Sequence, residues 1–183
     1  MRIPALLLTV TLLFPFSALA AEESALWDAL RSGEAVAMMR HALAPGTGDP
    51  ANFEIDDCST QRNLSEEGRR QARAIGERFR QAGIESAEVY SSLWCRCRET
   101  AVGLALGEVE DLTHLNSFFA QRERRDAQTQ ALARWLSERQ PGAPLVLVTH
   151  QVNITALTGV YPRSGEIVVF RWEEGQARVL GSL

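Results

Sequence analysis

The stretch "AVAMMRHALAPG", residues 35–46, changes character at its sixth residue. It begins as an apolar run of strand length and then places Arg40 directly before His41. A fixed cation beside an imidazole opposes protonation of the ring, so the pair favours a neutral histidine. The arginine beside it remains free to bind an anion. The stretch therefore predicts a buried strand that ends at an anion-binding site.

The rest of the chain alternates strands with helices. The predicted strands are "AEVYSS" (87–92), "PLVLVTH" (144–150) and a terminal hairpin of "GEIVVFRW" (165–172) and "QARVLGSL" (176–183) with "EEG" as its turn. The predicted helices span 24–33, 64–83, 96–107, 126–140 and 151–159, and Ser65 caps the second of them. This alternation predicts a three-layer α/β/α sandwich with a mainly parallel central sheet.

Three of the predicted strands end on a cation or an imidazole. Arg40 and His41 follow the first strand, Arg96 lies shortly after the second, and His150 ends the third. Parallel sheets bind ligands beyond the carboxyl ends of their strands. Two imidazoles and two guanidinium groups at one edge suit phosphoryl transfer, because arginine binds phosphoryl oxygens and a neutral imidazole can attack phosphorus.

Four motifs carry a resemblance to a known family. "RHA" (40–42) resembles the Arg-His-Gly signature of the histidine phosphatase superfamily, and "YSSLWCRCRETA" (90–101) resembles its Ser-x-x-x-x-Arg-Ala-x-x-Thr-Ala signature. "LVLVTHQ" (145–151) is similar to the strand that carries the second histidine, and "RNLSEEGRRQA" (62–72) to the Leu-Thr-x-x-Gly-x-x-Gln-Ala helix start. The motifs occur in the family order, and the resemblance implies a phosphoglycerate mutase-like fold.

The resemblance also assigns roles to residues. It makes His41 the nucleophile and places Arg40, Arg96 and His150 in a phosphate pocket, with Arg62 as a further phosphate contact or a surface arginine. Chemistry of this kind requires no metal and no cofactor, because the arginines neutralise the phosphoryl charge.

The sequence also suggests roles for three further polar or aromatic residues. Trp94 is expected at the pocket mouth, Asn153 either binds phosphate or caps a helix, and His114 is expected to be structural.

The chain departs from the family pattern in two places. Ala42 replaces the usual glycine, which predicts an ordinary backbone turn, because alanine disfavours the left-handed region. Where many members carry a glutamate as general acid, this chain has Asn116 or Ser117. Glu123 and Asp126 are the candidate acids, and solvated surface charges are the competing interpretation.

The amino terminus predicts export. Arg2, an apolar run and the small residues "ALA" (18–20) are typical of a secretory signal peptide cleaved after Ala20, although a membrane anchor is the alternative. Residues 21–183 would then form a single periplasmic or secreted domain, with no membrane span. In an oxidising compartment, Cys58 is expected to pair with Cys95 or Cys97, and buried free thiols are the alternative.

Composition narrows the class of partner. The 183 residues are 45% hydrophobic and carry a formal net charge of −4, which fits one globular domain and argues against a nucleic-acid partner. The leading hypothesis is an exported, metal-independent phosphatase for a small phosphorylated metabolite or an envelope phosphosugar. The alternatives are a protein phosphohistidine phosphatase, a phosphate-binding protein without turnover, and a metal site built from the two histidines and a carboxylate. The sequence leaves the oligomeric state open.

Overall fold

A six-stranded mixed sheet organises the chain in a computed structural model that describes residues 16–140 and 142–183. Its strands are β1 (Val36–Arg40), β2 (Glu88–Ser91), β3 (Val109–Asp111), β4 (Leu145–Thr149), β5 (Ile167–Glu173) and β6 (Gln176–Ser182). They lie in the order β3-β2-β4-β1-β5-β6. The first four along this order are parallel, whereas β5 and β6 are antiparallel to their neighbours. The predicted, mainly parallel sheet is confirmed.

Helices cover both faces of this sheet. The α-helices are α1 (Phe16–Arg31), α2 (Glu66–Gln81), α3 (Cys95–Leu104), α4 (Arg125–Ser137) and α5 (Gln151–Thr158). Alternate residues of β1 point to opposite faces: Ala37 and Met39 pack with α1, α2 and α3, while Val36 and Met38 pack with α4 and α5. The two apolar clusters therefore give the predicted three-layer sandwich, with a core on each side of the sheet.

Two contacts at its first turn fix the position of helix α2: a side-chain cap, and close packing of its backbone on the segment after β1. Ser65 accepts a hydrogen bond from the Gly68 backbone N–H and so caps the helix as predicted. Gly68 packs so closely on the backbone of Leu43 that a Cβ there would overlap the Leu43 carbonyl oxygen. The helix start is thereby held against the segment that follows β1, where His41 lies.

A disulfide joins Cys58 to Cys95, and Cys97 is a buried free thiol. The bond settles the alternative that the sequence left open. It ties the long segment between β1 and α2 to the first residue of α3, immediately before Arg96. This long segment is irregular apart from a short 3₁₀ turn at Cys58–Thr60.

The predicted terminal hairpin is confirmed. Strands β5 and β6 pair in antiparallel fashion across a turn at Glu174 and Gly175, whose φ angles are 51° and 76°. Two consecutive positive φ angles match a tight hairpin turn whose twist suits the flanking strands.

The structure corrects two element boundaries. Helix α3 ends at Leu104, with Ala105 at a φ of 52°, and not at Gly107 as predicted. Strand β3 is absent from the sequence prediction because it is only three residues long, and two of the three are exposed acidic residues.

The predicted signal peptide lies mostly outside the described residues, which begin at residue 16. The predicted cleavage site after Ala20 falls within α1, which continues to Arg31. Within residues 16–140 and 142–183, none of the helices combines the length and hydrophobicity that crossing a membrane requires.

Candidate active site

A cavity of about 620 Å³ opens at the carboxyl ends of β1, β2 and β4. This is the edge at which the sequence places its anion-binding residues. The cavity brings together six of the predicted site residues: Arg40, His41, Arg62, Trp94, Arg96 and His150. Several other residues line the cavity although no sequence motif marks them, among them Asp49, Phe53, Phe119, Arg124 and Tyr161.

His41 is buried and held by the backbone next to it. Its Nδ1 lies 2.8 Å from the Ala42 carbonyl oxygen, which can only accept, so Nδ1 carries the proton. The tautomer leaves the lone pair on Nε2, as a nucleophile requires. The Ala42 backbone N–H donates to Thr100 Oγ1 (3.0 Å), and Ala42 has no positive φ, so the predicted ordinary turn is confirmed.

His150 faces His41 with ring centroids 5.6 Å apart. Its Nε2 lies 2.9 Å from Ser92 Oγ, and its Nδ1 lies 3.5 Å from a terminal nitrogen of Arg96. Asn116 Oδ1 contacts the same serine hydroxyl (3.3 Å) and accepts from the Leu93 backbone N–H (2.9 Å). Ser92 and Asn116 therefore hold the second imidazole from behind.

Asn153 does not line the cavity. Its side-chain amide donates to the Asn116 carbonyl oxygen (2.8 Å), and the residue is buried. The predicted role in phosphate binding is therefore wrong for this geometry, because the amide is used to fix the chain at Asn116. His114 also lies outside the cavity lining.

Arg40 and Arg96 both carry an unpartnered donor at the cavity. Arg96 is buried and donates through its terminal nitrogens to Asp49 Oδ1 (2.7 Å) and Oδ2 (3.2 Å). Arg40 donates to the Pro162 carbonyl oxygen (3.1 Å). The Nε atoms of both arginines are buried without a hydrogen-bond partner. Both guanidinium groups line the cavity, where their positive charge favours a ligand with anionic oxygen atoms.

Arg62 lies in the cavity wall, where its side chain donates hydrogen bonds to the long segment before α2. Its Nε donates to the Gly48 carbonyl oxygen (2.7 Å), and a terminal nitrogen donates to the Ala44 carbonyl oxygen. Arg62 therefore contributes positive charge to the site while its fork is largely used to shape this segment. These hydrogen bonds agree with the alternative of a surface arginine that caps a loop, although Arg62 also lines the cavity.

Burial and the neighbouring cations keep both imidazoles neutral. Burial, followed by the charge of Arg96, lowers the pKa of His41 to about 3. The same two causes lower the pKa of His150 well below its usual value. Burial raises the pKa of the Asp49 carboxyl group. The hydrogen bond and the charge of Arg96 outweigh this effect, so that the pKa is lowered.

The structure does not bring the candidate acids to the cavity. Glu123 and Asp126 are both exposed and neither lines it, because each points from the surface at the start of α4. The assignment of Glu123 as general acid is therefore wrong. Among the described lining residues, Asp49 is the one carboxylate. No pattern around "GTGDP" (46–50) marked it in the sequence beyond the length of the loop.

Trp94 lines the cavity as predicted and connects several of its parts. Its Nε1 donates to Asp49 Oδ2 (3.0 Å), and its ring stacks on Phe53 with centroids 5.1 Å apart. The ring also meets His150 edge-on at 5.2 Å.

Across the described part of the chain, no group of three or more histidine, cysteine or acidic side chains could hold a metal ion.

Residues 36–119 match the family model of the histidine phosphatase superfamily, branch 1. This part of the chain is therefore similar to the histidine phosphatase domain. The match begins at the first residue of β1 and includes Arg40, His41, Arg62 and Arg96, while His150 lies beyond it. The family match and the fold support phosphatase activity.

Solved structures of phosphatases share the fold. The protein histidine phosphatase SixA, bound to tungstate, superposes with a TM-score of 0.57 at 17% identity, covering 81% of this chain and 96% of SixA. A mycobacterial glucosyl-3-phosphoglycerate phosphatase gives 0.57 at 20% identity, with 80% and 96% covered. A phosphoserine phosphatase of Entamoeba histolytica gives 0.54 at 15%, with 81% and 95% covered. No curated protein sequence matches the chain.

The low pKa of His41 predicts how stability depends on pH. In the unfolded chain an imidazole titrates near pH 6.5, so between about pH 3 and pH 6.5 the unfolded chain binds more protons than the folded one. The free energy of unfolding therefore falls as the pH falls through this window. We expect His41→Gln to remove up to about 1.4 kcal/mol per pH unit of this dependence, measured by urea unfolding.

The difference in the free energy of unfolding between wild type and His41→Gln should stop changing with pH above about pH 7.5. Above this pH, imidazole is neutral in both the folded and the unfolded chain. Parallel curves for wild type and His41→Gln between about pH 4 and pH 6 would show that His41 is not held neutral by the fold.

Proposed function

We propose that the chain is an exported phosphatase that hydrolyses a phosphomonoester through a phosphohistidine formed on His41. The observation that carries the proposal is the buried, neutral His41 imidazole, with its proton fixed on Nδ1, beside guanidinium N–H groups that have no acceptor. Such a site offers a nucleophile and oxyanion donors at one point.

The reaction takes two steps. His41 Nε2 attacks phosphorus while the bond to the leaving oxygen breaks and that oxygen keeps the electron pair. Water then attacks phosphorus, the P–N bond breaks, and inorganic phosphate leaves. Arg96 can only donate to Nδ1 of His150, and the Ser92 hydroxyl donates to Asn116 Oδ1, so the ring proton of His150 is on Nε2 and bonds Ser92 Oγ.

The charge of the cavity suits a phosphomonoester. Arg40, Arg62, Arg96 and Arg124 contribute four positive charges and Asp49 one negative charge, while both histidines are neutral. The net positive charge that remains favours binding of a phosphomonoester dianion. Preorganised donors of this kind stabilise charge in the transition state without further reorganisation.

The mouth of the cavity supports a small organic substrate. Phe119 and Tyr161 are exposed there, by 42% and 73%, and Phe53 stacks on Trp94 beside them. Aromatic faces pack against sugar rings and other flat or apolar groups. A small phosphorylated metabolite or an envelope phosphosugar fits this combination of an anion site and an aromatic rim.

Export is part of the proposal. The Cys58–Cys95 disulfide supports it, because such bonds persist in oxidising compartments. Amino-terminal sequencing of protein recovered from the producing cell's envelope or medium should read from Ala21. A retained amino terminus in the cytoplasmic fraction would contradict it.

Substitution of the nucleophile tests the activity. The wild-type protein should hydrolyse p-nitrophenyl phosphate without added metal, and His41→Ala should reduce kcat by at least about 1,000-fold because no other residue supplies the attacking nitrogen. Rapid acid quenching should trap phosphate on His41 in the wild type. The control is His114→Ala, which replaces a histidine outside the cavity and should keep its activity.

A residual activity within a few-fold of wild type in folded His41→Ala would refute the nucleophile. Phosphate binding without turnover in the wild type would favour the phosphate-binding alternative. Loss of wild-type activity on adding a chelator would favour a metal site instead.

A second candidate is a protein phosphohistidine phosphatase. The observation that favours it is the lack of a free carboxylic acid among the described cavity residues, since Asp49 is tied to Arg96. Without a proton donor, an alkoxide is a poor leaving group, whereas the imidazole of a phosphohistidine leaves readily once protonated.

Leaving groups distinguish the two candidates. Without a proton donor, kcat/KM should fall steeply across aryl and alkyl phosphates as the pKa of the leaving alcohol rises. A flat dependence would show that a proton donor operates. A phosphohistidine peptide cleaved at least about 100-fold more efficiently than any sugar phosphate would favour the second candidate, and the reverse order would favour the first.

A further inference from the structure

We propose that Asp49 is a positioning residue that fixes the plane of the Arg96 guanidinium in the wall of the phosphate pocket. The proposal rests on the proposed phosphatase function and assigns a role to a residue that no sequence motif marked. Its basis is the way the Asp49 carboxylate and the Arg96 guanidinium share hydrogen bonds at the cavity.

The Asp49 carboxylate binds one edge of the Arg96 guanidinium and does not contact the edge that contains Nε. Both terminal nitrogens of Arg96 donate to Asp49, at 2.7 Å and 3.2 Å, which is the bidentate geometry that fixes the plane of the group. The adjacent edge, made of Nε and one terminal nitrogen, keeps a buried Nε–H without an acceptor. Asp49 therefore fixes the orientation of the Arg96 guanidinium in the cavity wall.

Asp49 is itself fixed from three sides. Besides Arg96, it accepts hydrogen bonds from the Trp94 indole (3.0 Å) and from the Arg62 backbone N–H (3.2 Å). Arg96 in turn donates to the Arg62 carbonyl oxygen (3.3 Å), so the contacts close a ring between the long segment and α3. The side chains of Arg96 and Asp49 are only 3% and 16% exposed, which keeps solvent from competing for this pair.

These contacts argue against Asp49 as the proton donor for the leaving group. Both of its oxygens already accept hydrogen bonds from N–H groups, and Arg96 lowers the pKa of the carboxyl group. An ionised carboxylate has no proton to give. Asp49 therefore acts through Arg96, and its removal should affect every substrate alike.

The expected signature is a fall in kcat without a weaker Michaelis complex. In Asp49→Ala, Arg96 loses the partner that fixes its plane, and a misplacement of about 1 Å can cost about 100-fold in rate. The same substitution removes a negative charge from an anion site, so KM and the inhibition constant of inorganic phosphate should stay equal or decrease. Asp49→Asn keeps one oxygen acceptor and should lose only about 10-fold.

A double-mutant cycle with Arg96→Ala tests the mechanism of action. If Asp49 acts through Arg96, adding Asp49→Ala to Arg96→Ala should change kcat by less than about 3-fold, because the positioned group is already gone. The control is Asp56→Asn, an exposed acid of the same segment that makes no contact with the cavity. It should leave kcat and KM unchanged.

Three results would overturn the proposal. Asp49→Ala could retain wild-type kcat, the two substitutions could be independent in the cycle, or the loss could be confined to alkyl phosphates, which would make Asp49 the proton donor. Failure of this inference is distinct from failure of the proposed function. In the second case the wild type itself has no turnover, whereas in the first the wild type is active and only the behaviour of the variants differs.

Discussion

The arrangement depends on keeping two imidazoles neutral inside a cluster of cations. Burial removes the water that would stabilise a charged ring, and the guanidinium of Arg96 opposes protonation of both His41 and His150. The Ala42 carbonyl then fixes the proton of His41 on one nitrogen. A histidine in this state is a ready nucleophile over a wide pH range, at the cost of stability in acid.

The fold meets this requirement by assembling the site from segments far apart in the chain. The ends of β1 and β4 supply the histidines, the first turn of α3 supplies Arg96, and the segment between β1 and α2 supplies Arg62 and Asp49. The regular elements are fixed by the sheet and its two apolar cores. The long segment lies outside these two cores. It is held by a small apolar cluster with α2, by hydrogen bonds of Arg62 and Gln61, and by the crosslink to Cys95.

Sequence reasoning succeeded where a single residue pattern determines the structure. The apolar runs of β1 and β4 predict buried strands, and the rule for strand ends then places His41, Arg96 and His150 at one edge. It failed where the role of a residue depends on distant partners. Asp49 looks like an ordinary loop residue and Ser92 like the end of a strand until the fold brings Arg96 and His150 beside them. Glu123 is a candidate general acid because it is acidic and lies a few residues after Asn116. Neither property brings its side chain to the cavity.

The Cys58–Cys95 disulfide also bears on the stage after synthesis at which the chain can become active. It joins residue 95 to residue 58, and the segments on either side carry the ring of contacts around Arg96. A newly made chain in a reducing cytoplasm would hold these segments together by non-covalent contacts alone. If the chain is exported, oxidation after translocation would complete the phosphate pocket, so that the hydrolase would mature outside the compartment that holds most cellular phosphoesters.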